Sequence, residues 1–458
     1  MMMTHLAVIV AALCLFGWLG LRARKTAEGL DDYMTARNSQ GATTLGLSFL
    51  ASGMGAWILF APPEVGAFVG PVALAGYALG AALPFIVFAW LGPMIRRQMP
   101  KGRSISEFTE HRFGRGMRRW ISLISVLYML CFLAAELTAI GSITNLLSDL
   151  NGQWVIIGVA LTTLIYTTWG GLRASLTTDR WQALLLMGLL AAVLLVDWKH
   201  LPTIEQSATM PGIPFWSAVS VALTLVLAVT AANLFHQGYW QRVWAAKHSA
   251  SLWKGALLGG GTTVIVVAIV GGLGMSAAMA GLDLGQPPIP FFALLSSAPQ
   301  WLGAVALVLA VTLVASSVDT LQNGIASLAV AEKKGLTLPG ARWVTVALMI
   351  PVVVIALQGA SVLRLFLIAD LLCATAIVPV LMGLWPRVTP SAAFAGVLAG
   401  LAGAIVPNWL MTGSLSEAMH IASFPGGAPT LAPFAGALLA SALVTLLLTV
   451  TRRSVKQA

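Results

Sequence analysis

A run of polar side chains interrupts an apolar stretch at residues 313–323, which reads LVASSVDTLQN. Six of the eight side chains in 316–323 carry an oxygen that can contact a cation. In a helix, Ser316, Asp319 and Thr320 are spaced i, i+3 and i+4, so they share one face. This face is a candidate cation or proton site, although serine hydroxyls in a helix can instead bond back to the carbonyl four residues earlier.

Three further acids, Glu64, Glu136 and Asp370, also lie inside apolar runs. A carboxylate at the centre of a membrane helix costs roughly 2.5–3.5 kcal/mol on insertion scales, so it needs a partner or a cavity. Each of these acids is therefore a candidate for an ion pathway or for a buried, hydrogen-bonded group. The chain has no HExxH, P-loop or GxSxG motif, and its three cysteines show no metal or redox spacing, so enzymatic function has no support.

The composition indicates whether the chain folds in water or in a lipid bilayer. Of 458 residues, 58% are hydrophobic and only 9% are charged, and the mean hydropathy is +0.88. Such a chain has too little polar surface for a soluble globule and is predicted to be an all-α polytopic membrane protein whose partner is the lipid bilayer. The net charge of +10 does not indicate a nucleic-acid partner, because the basic residues lie in short loops between apolar spans. No obligate protein partner is evident.

Apolar runs broken at charges and at Pro or Gly clusters predict about 13 transmembrane helices. The predicted spans are 5–22, 45–69, 72–95, 119–148, 153–169, 181–197, 215–236, 252–280, 301–331, 341–358, 361–385, 391–409 and 430–451. With the N-terminus outside, all but Lys199 and Arg364 of the 26 Lys and Arg residues face the cytoplasm, as the positive-inside rule requires. We therefore expect a multi-pass plasma-membrane protein, in a bacterium the inner membrane, with a cytoplasmic C-terminus.

Two of these spans contain weak points for a helix. Residues 51–57 read ASGMGAW and are followed by Pro62-Pro63, and five spans later residues 231–238 read AANLFHQG. Carriers bind ions and solutes at interrupted helices because an unwound turn frees backbone groups inside the membrane. The spacing predicts one transporter domain over 1–458, with an extra first helix (5–22), two inverted five-helix repeats (45–197 and 215–385) and two C-terminal helices (391–451). The alternative for each weak point is a small-residue packing face.

Several segments resemble the sodium:solute symporter family, which includes sodium/proline and sodium/glucose carriers. The most specific is Trp169-Gly170-Gly171-Leu172-Arg173-Ala174 followed by Thr178-Asp179 and Gln182. Further matches are Asp31-Asp32-Tyr33, Gln241-Arg242 and the Ser316-Ser317-x-Asp319 cluster. The resemblance implies a 13-span protein with the N-terminus outside and a LeuT-like core of five plus five helices. Gly53 stands where several amino-acid carriers have Asp or Asn, which leaves the substrate class open.

The resemblance also implies a sodium site between the first broken helix and the polar run. Its ligands would be the carbonyls of Ala51, Met54 and Leu313 and the hydroxyls of Ser316 and Ser317. Asp179, Asp319 and Thr320 would form a second cation or proton site, unless Asp319 pairs with a cationic group such as Arg180. We therefore expect sodium-coupled symport of a small polar organic solute, amino acid-like or urea-like, into the cytoplasm. The alternatives are a proton-coupled symporter or a symporter-like sensor.

A solute bound at the midplane should touch both weak points and the helix after the first one. This predicts substrate contacts from Gly53, Trp57, Tyr77, Asn233 and Gln237. Asn233 and Gln237 are spaced i and i+4, so a continuous helix would present both amides on one face. With no Lys or Arg at the centre, the set is suited to an uncharged or zwitterionic solute. The alternative is that Trp57 and Tyr77 are ordinary packing residues.

Overall fold

The computed structural model describes residues 2–22, 30–194, 210–284, 289–296, 300–332, 337–358, 362–424 and 429–457. This part of the chain is almost entirely helical, which confirms the predicted all-α architecture. Its helices are α1 (Met2–Arg22), α2 (Leu30–Thr35), α3 (Ala42–Gly53), α4 (Ala61–Phe68), α5 (Pro71–Gln98), α6 (Ile105–Phe113), α7 (Arg115–Leu147), α8 (Gly152–Leu194), α9 (Phe215–Asn233), α10 (Gln237–Ala245), α11 (Ser249–Met279), α12 (Pro290–Ser296), α13 (Gln300–Glu332), α14 (Leu338–Leu357), α15 (Val362–Leu381), α16 (Pro390–Thr412), α17 (Leu415–Ala422) and α18 (Leu431–Gln457).

Within the described residues, ten helices are long and apolar enough to cross a membrane, and the bent pair formed by α3 and α4 makes an eleventh span. Helix α1 contributes a shorter apolar segment, Leu6–Arg22. The count of 13 remains a prediction, as does the division into repeats. Lys199 and the ends of the predicted spans 181–197 and 361–385 lie outside the described residues.

Helix α8 covers the predicted span 153–169 and residues 181–194 of the predicted span 181–197 in one run of 43 residues. At 1.5 Å per residue, such a run is about 65 Å long, roughly twice the hydrocarbon thickness of a bilayer. The run is interrupted at Gly171, whose φ of 60° and ψ of −149° are not helical. A residue with a Cβ adopts this conformation only with strain, so the glycine pair of the Trp169-Gly170-Gly171 segment marks a change of direction.

The first weak point is a real break. Helix α3 ends at Gly53, and a short 3-10 helix, Ala56–Leu59, leads into α4 at an angle of 63° to α3. Pro62 and Pro63 stand in the first turn of α4, where a missing N–H leaves no intrahelical bond unmade. The predicted interruption at 51–57 is therefore confirmed.

The second weak point is also a break, and it changes the predicted geometry. Helix α9 ends at Asn233 and α10 begins at Gln237, with a turn at 234–236 between them. The expectation that Asn233 and Gln237 share one helical face is wrong, because the two residues belong to different helices.

Both breaks adjoin α13, the most enclosed helix of the bundle. Every residue of α13 from 309 to 328 is buried, and the helix packs against α3, α7, α8 and α10. The polar run at 316–323 thus faces protein rather than lipid throughout, so its side chains must find partners inside the molecule.

Candidate functional site

The centre of the molecule contains a buried ion pair. The Arg242 Nη2 of α10 lies 2.8 Å from the Asp179 Oδ2 of α8, and neither side chain is exposed. The sequence offered Arg180 as an example of a cationic group that could pair with Asp319, and the structure does not bear out this alternative. Arg180 is exposed and lines a surface pocket, because its side chain points away from the buried face that carries Asp179.

Hydroxyl groups from two further elements complete this pair. Asp179 accepts hydrogen bonds from Ser48 (2.6 Å) and Ser52 (3.2 Å) of α3, and from Ser316 (3.0 Å) of α13. Arg242 donates to the same two α3 hydroxyls, to the Gly238 carbonyl at 2.7 Å and to the Thr320 hydroxyl at 3.2 Å. The ion pair therefore ties both broken helices to α8 and α13.

Asp319 lies beside this network and is held by hydroxyl groups alone. Its carboxylate accepts from Tyr166 (2.7 Å), Ser175 (2.7 Å) and Thr178 (3.1 Å), all on α8. Thr320 donates to the Ser52 hydroxyl at 2.9 Å. The structure thus brings Asp179, Asp319 and Thr320 into one polar cluster, and it places no cation within ion-pair distance of Asp319 among the described residues.

The five predicted sodium ligands come from two elements that pack together, the end of α3 and the middle of α13. The Ala51 carbonyl accepts only the turn bond from Met54 N, at 3.2 Å, which suits a helix end with free carbonyls. Leu313 and Ser316 are buried, and Ser316 donates to Asp179. Ser317 has a buried hydroxyl that makes no hydrogen bond within 3.5 Å, and it lies close enough to the Glu136 carboxyl to act on it. Such an oxygen is costly to leave unpaired, and it is the kind of donor a hard alkali cation prefers.

A carboxylate caps the second half of the first broken helix, formed by the 3-10 helix and α4. Glu136 Oε2 of α7 accepts a 2.6 Å hydrogen bond from the Ala56 N–H, the first amide of the 3-10 helix. Its other oxygen is buried without a hydrogen bond. A Cβ on Gly55 would lie 1.8 Å from Glu136 Oε1, so this contact is possible only with glycine at position 55.

The predicted substrate residues fall into two groups. Trp57 and Tyr77 stack at 5.5 Å between ring centroids and are each 8% exposed. Asn233 Nδ2 donates to the Val229 carbonyl of its own helix at 2.8 Å. Gln237 Nε2 donates to the Arg103 carbonyl and the Ser327 hydroxyl, whereas its Oε1 is buried without a hydrogen bond. Gly53 lies near the Phe85 ring and the Tyr239 hydroxyl, each 3.1 Å from the position a Cβ would take.

Sequence reasoning missed Ser48, Ser52, Tyr166, Ser175 and the role of Arg242. Arg242 had a signal, because Gln241-Arg242 was one of the matching segments, but no partner could be assigned to it. Ser48 and Ser52 are spaced i and i+4 in α3, so they lie on one face of this helix. This spacing was visible in the sequence.

The profile of the sodium:solute symporter family matches residues 33–206. Among characterised relatives, the spermidine transporter DUR31 of Candida albicans is 31% identical over 364 residues, covering 77% of this chain and 69% of that protein. The high-affinity proline transporter PutP of Bacillus subtilis is 26% identical over 194 residues, 40% of each chain. The sodium/glucose cotransporter of Vibrio parahaemolyticus is 26% identical over 188 residues, covering 40% of this chain and 33% of that one.

Solved structures share the fold. A sodium-coupled sialic acid symporter in a substrate-bound, outward-open state superimposes with a TM-score of 0.76 over 97% of both chains at 15% identity. Mhp1, a nucleobase-cation-symport-1 family transporter, gives 0.60 over 93% of this chain and 96% of that chain at 14% identity. These likenesses confirm the LeuT-like fold. Together with the relative that is 31% identical, they show that this chain belongs to the sodium:solute symporter family of multi-pass membrane transporters.

Proposed function

We propose that this chain couples sodium entry to the uptake of a small polar organic solute into the cytoplasm by alternating access. The observation that carries the proposal is the break between α3 and α4 beside the α13 serines, where the Ser317 hydroxyl is buried without a partner. Sodium-coupled relatives and a sodium-coupled structural neighbour support the choice of ion. We also propose that the protein lies in the plasma membrane, with its N-terminus outside and its C-terminus in the cytoplasm.

The sodium ligands are proposed to be the carbonyls of Ala51, Met54 and Leu313 and the hydroxyls of Ser316 and Ser317. All five are neutral oxygen donors, which hold a monovalent ion without trapping it. Asp179 accepts a hydrogen bond from Ser316 and so orients its hydroxyl, while Arg242 balances the charge of Asp179. Each sodium ion that moves inward through 100 mV contributes about 2.3 kcal/mol, or nearly 50-fold in solute concentration ratio.

The cluster around Asp179, Asp319 and Thr320 was a candidate second cation site. Arg242 now stands in that cluster, donating to Asp179 and Thr320. We propose that this guanidinium takes the place of a second ion, which gives one sodium per solute. The rival is proton coupling, because neither Asp319 nor Glu136 has an ion-pair partner among the described residues. Uptake driven by a pH gradient in sodium-free proteoliposomes would favour that rival.

Replacing Ser316 or Ser317 with alanine is expected to raise the sodium concentration for half-maximal effect by about tenfold, because a hydrogen-bond-strength contact to a charged group is worth roughly 1.5–3 kcal/mol. The measurement is the rise in melting temperature of the purified protein with added sodium, compared with potassium. Ser276→Ala is the matched control, since its hydroxyl bonds only to the Gly272 carbonyl of its own helix. A double variant, Ser316→Ala with Ser317→Ala, that responds to sodium like the wild type would contradict this site.

The solute is proposed to contact Gly53, Trp57, Tyr77, Asn233 and Gln237, with the Trp57–Tyr77 stack as an apolar wall. The relatives supply probe solutes: spermidine, proline and glucose. We expect Trp57→Ala to weaken the apparent affinity by about tenfold, since a buried aromatic wall is worth at least 1–2 kcal/mol. Asn233→Ala should have a smaller effect, because its amide is already bonded within α9. If neither variant changes the affinity while sodium binding stays normal, the solute binds elsewhere.

A further inference from the structure

The Trp57–Tyr77 stack belongs to a larger set of buried polar groups that the chain itself leaves without partners. The indole N–H of Trp57, the hydroxyls of Tyr77 and Tyr128 and the carboxyl of Asp370 make no hydrogen bond in the described structure, yet none of these polar atoms is fully enclosed. Their residues are only 8%, 8%, 1% and 8% exposed. Polar atoms that lie deep in the protein and still reach open space line a polar cavity, in which a ligand can supply the missing partners.

Asp370 lies where it can face this region. It stands one helical turn from Phe366 on α15, and the Phe366 ring packs against Phe132 of α7 at 4.7 Å. Phe132 also packs against the Tyr128 ring, at 5.7 Å between ring centroids. Asp370 on α15 therefore lies beside α7, and its charge acts on the hydroxyls of Tyr128 on α7 and Tyr77 on α5.

The buried acids outnumber the buried cations, and this excess indicates that Asp370 needs a positive charge nearby. Four carboxyl groups of the described residues lie in predicted spans and have no ion-pair partner: Glu64, Glu136, Asp319 and Asp370. Arg242, the one cation without exposed surface among the described residues, is already paired with Asp179. One sodium ion leaves an excess of negative charge, and an unpaired carboxylate in a protein interior costs several kcal/mol. A bound cation next to Asp370 removes that cost.

Glu136 excludes one way of binding an amino acid. In carriers with broken helices, the N-terminus of a half-helix points at the anionic group of the solute. Here the protein's own Glu136 carboxylate already accepts the Ala56 N–H at that N-terminus, and it fills the space beside Gly55. A solute carboxylate placed there would meet a like charge at contact distance, which costs several kcal/mol.

We propose that the solute is an organic amine without a carboxylate group, and that Asp370 binds its ammonium group. This inference rests on the proposed transport function and replaces the uncharged or zwitterionic solute predicted from the sequence. The ammonium lies beside the rings of Trp57, Tyr77 and Tyr128, whose faces attract a cation. The hydrocarbon part of the amine packs on the Trp57–Tyr77 stack.

Glu64 provides a second acid for the same solute. It is half-buried in the first turn of α4, has no hydrogen-bond or ion-pair partner in the described structure, and also acts electrostatically on the Tyr77 hydroxyl. Two unpaired carboxyls that act on the same tyrosine match a molecule with two or more ammonium groups. The site should therefore prefer a diamine or polyamine over a monoamine of similar size.

The test measures sodium-dependent thermal stabilisation and uptake in proteoliposomes with spermidine, putrescine, butylamine, proline and glucose as probes. We expect spermidine and putrescine to bind the wild type, and Asp370→Asn to weaken their binding at least 30-fold. The sodium-induced stabilisation of Asp370→Asn should remain, which shows that the variant is folded. Asp149→Asn, the same change at an exposed position near the end of α7, should behave like the wild type.

A second variant keeps the inference testable if Asp370→Asn fails to fold. Glu64→Gln should weaken spermidine binding about tenfold and butylamine binding much less. Binding of proline or glucose but of no amine, or full spermidine affinity in either variant, would overturn the inference while leaving sodium coupling intact. Absence of any sodium effect, with every probe, would instead contradict the proposed symport.

Discussion

Replacing Arg242 with methionine is expected to lower the free energy of unfolding by about 3–5 kcal/mol and to abolish transport. Methionine roughly retains the length of the side chain but leaves the Asp179 carboxylate buried without its cation, and breaking one partner of a buried ion pair carries a cost of this size. Ser48, Ser52 and Thr320 also lose their shared donor. The melting temperature of the purified variant and its uptake of solute measure the two effects.

A second change in the Arg242→Met variant tests whether the unpaired charge of Asp179 causes the loss of stability. Adding Asp179→Asn to Arg242→Met should restore part of the lost stability, because a neutral amide needs no buried counter-charge. Arg180→Met is the matched control, since this neighbouring arginine is exposed and should change the melting temperature little. Equal destabilisation by Arg242→Met and Arg180→Met would show that the buried pair contributes nothing specific.

The ion pair also bears on coupling. Arg242 follows the break between α9 and α10, and its partners Ser48 and Ser52 precede the break between α3 and α4. Asp179 joins both to Ser316, a proposed sodium ligand. Sodium binding at Ser316 therefore acts on groups that hold the two broken helices together. A ligand shifts a conformational equilibrium only through such state-dependent contacts.

Much of the fold follows from local properties of the sequence. Apolar runs of about 20 residues predict membrane helices. Gly53, Gly55 and the Pro62-Pro63 pair predict the first break, because glycine weakens a helix interior and proline is tolerated only in the first turn. The division of α8 was less predictable. The predicted gap at 170–180 contains Gly171, where the helix is interrupted, but the charged residues that follow continue as helix instead of forming a loop.

The candidate site was predictable only as far as single helices allow. The spacing of Ser316, Asp319 and Thr320 places them on one face, and the structure confirms that they share one polar cluster. Their partners are distant in sequence: Ser48 is 131 residues from Asp179 and 194 from Arg242. Periodicity gives the face of a helix but not the helix it meets, so it could not decide between Arg180 and Arg242. The error at Asn233 and Gln237 arose because a continuous helix was assumed across a break.

Replacing Gly55 with alanine is expected to disrupt the contact by which Glu136 caps the first broken helix. Gly55→Ala places a Cβ 1.8 Å from Glu136 Oε1 and 2.4 Å from the Glu136 carboxyl carbon, so one of the two must move. Overpacking a core costs about 1–3 kcal/mol, and losing the charge-assisted bond to the Ala56 N–H costs about 1.5–3 kcal/mol more. We expect a clear drop in melting temperature and loss of uptake.

Two further variants assign this effect to the contact itself. Gly41→Ala is the matched control, because no atom lies within 4 Å of the added carbon and the backbone there is extended. Combining Gly55→Ala with Glu136→Ala removes the clash and should recover part of the lost stability. Uptake should not recover, because the N-terminus of the 3-10 helix at Ala56 then has no carboxylate. Wild-type uptake by Gly55→Ala would show that Glu136 does not fix the break in a working transporter. Recovery of uptake by the double variant would show that the carboxylate matters only through its volume, and the half-helix N-terminus would then be free to bind an anionic group of the solute.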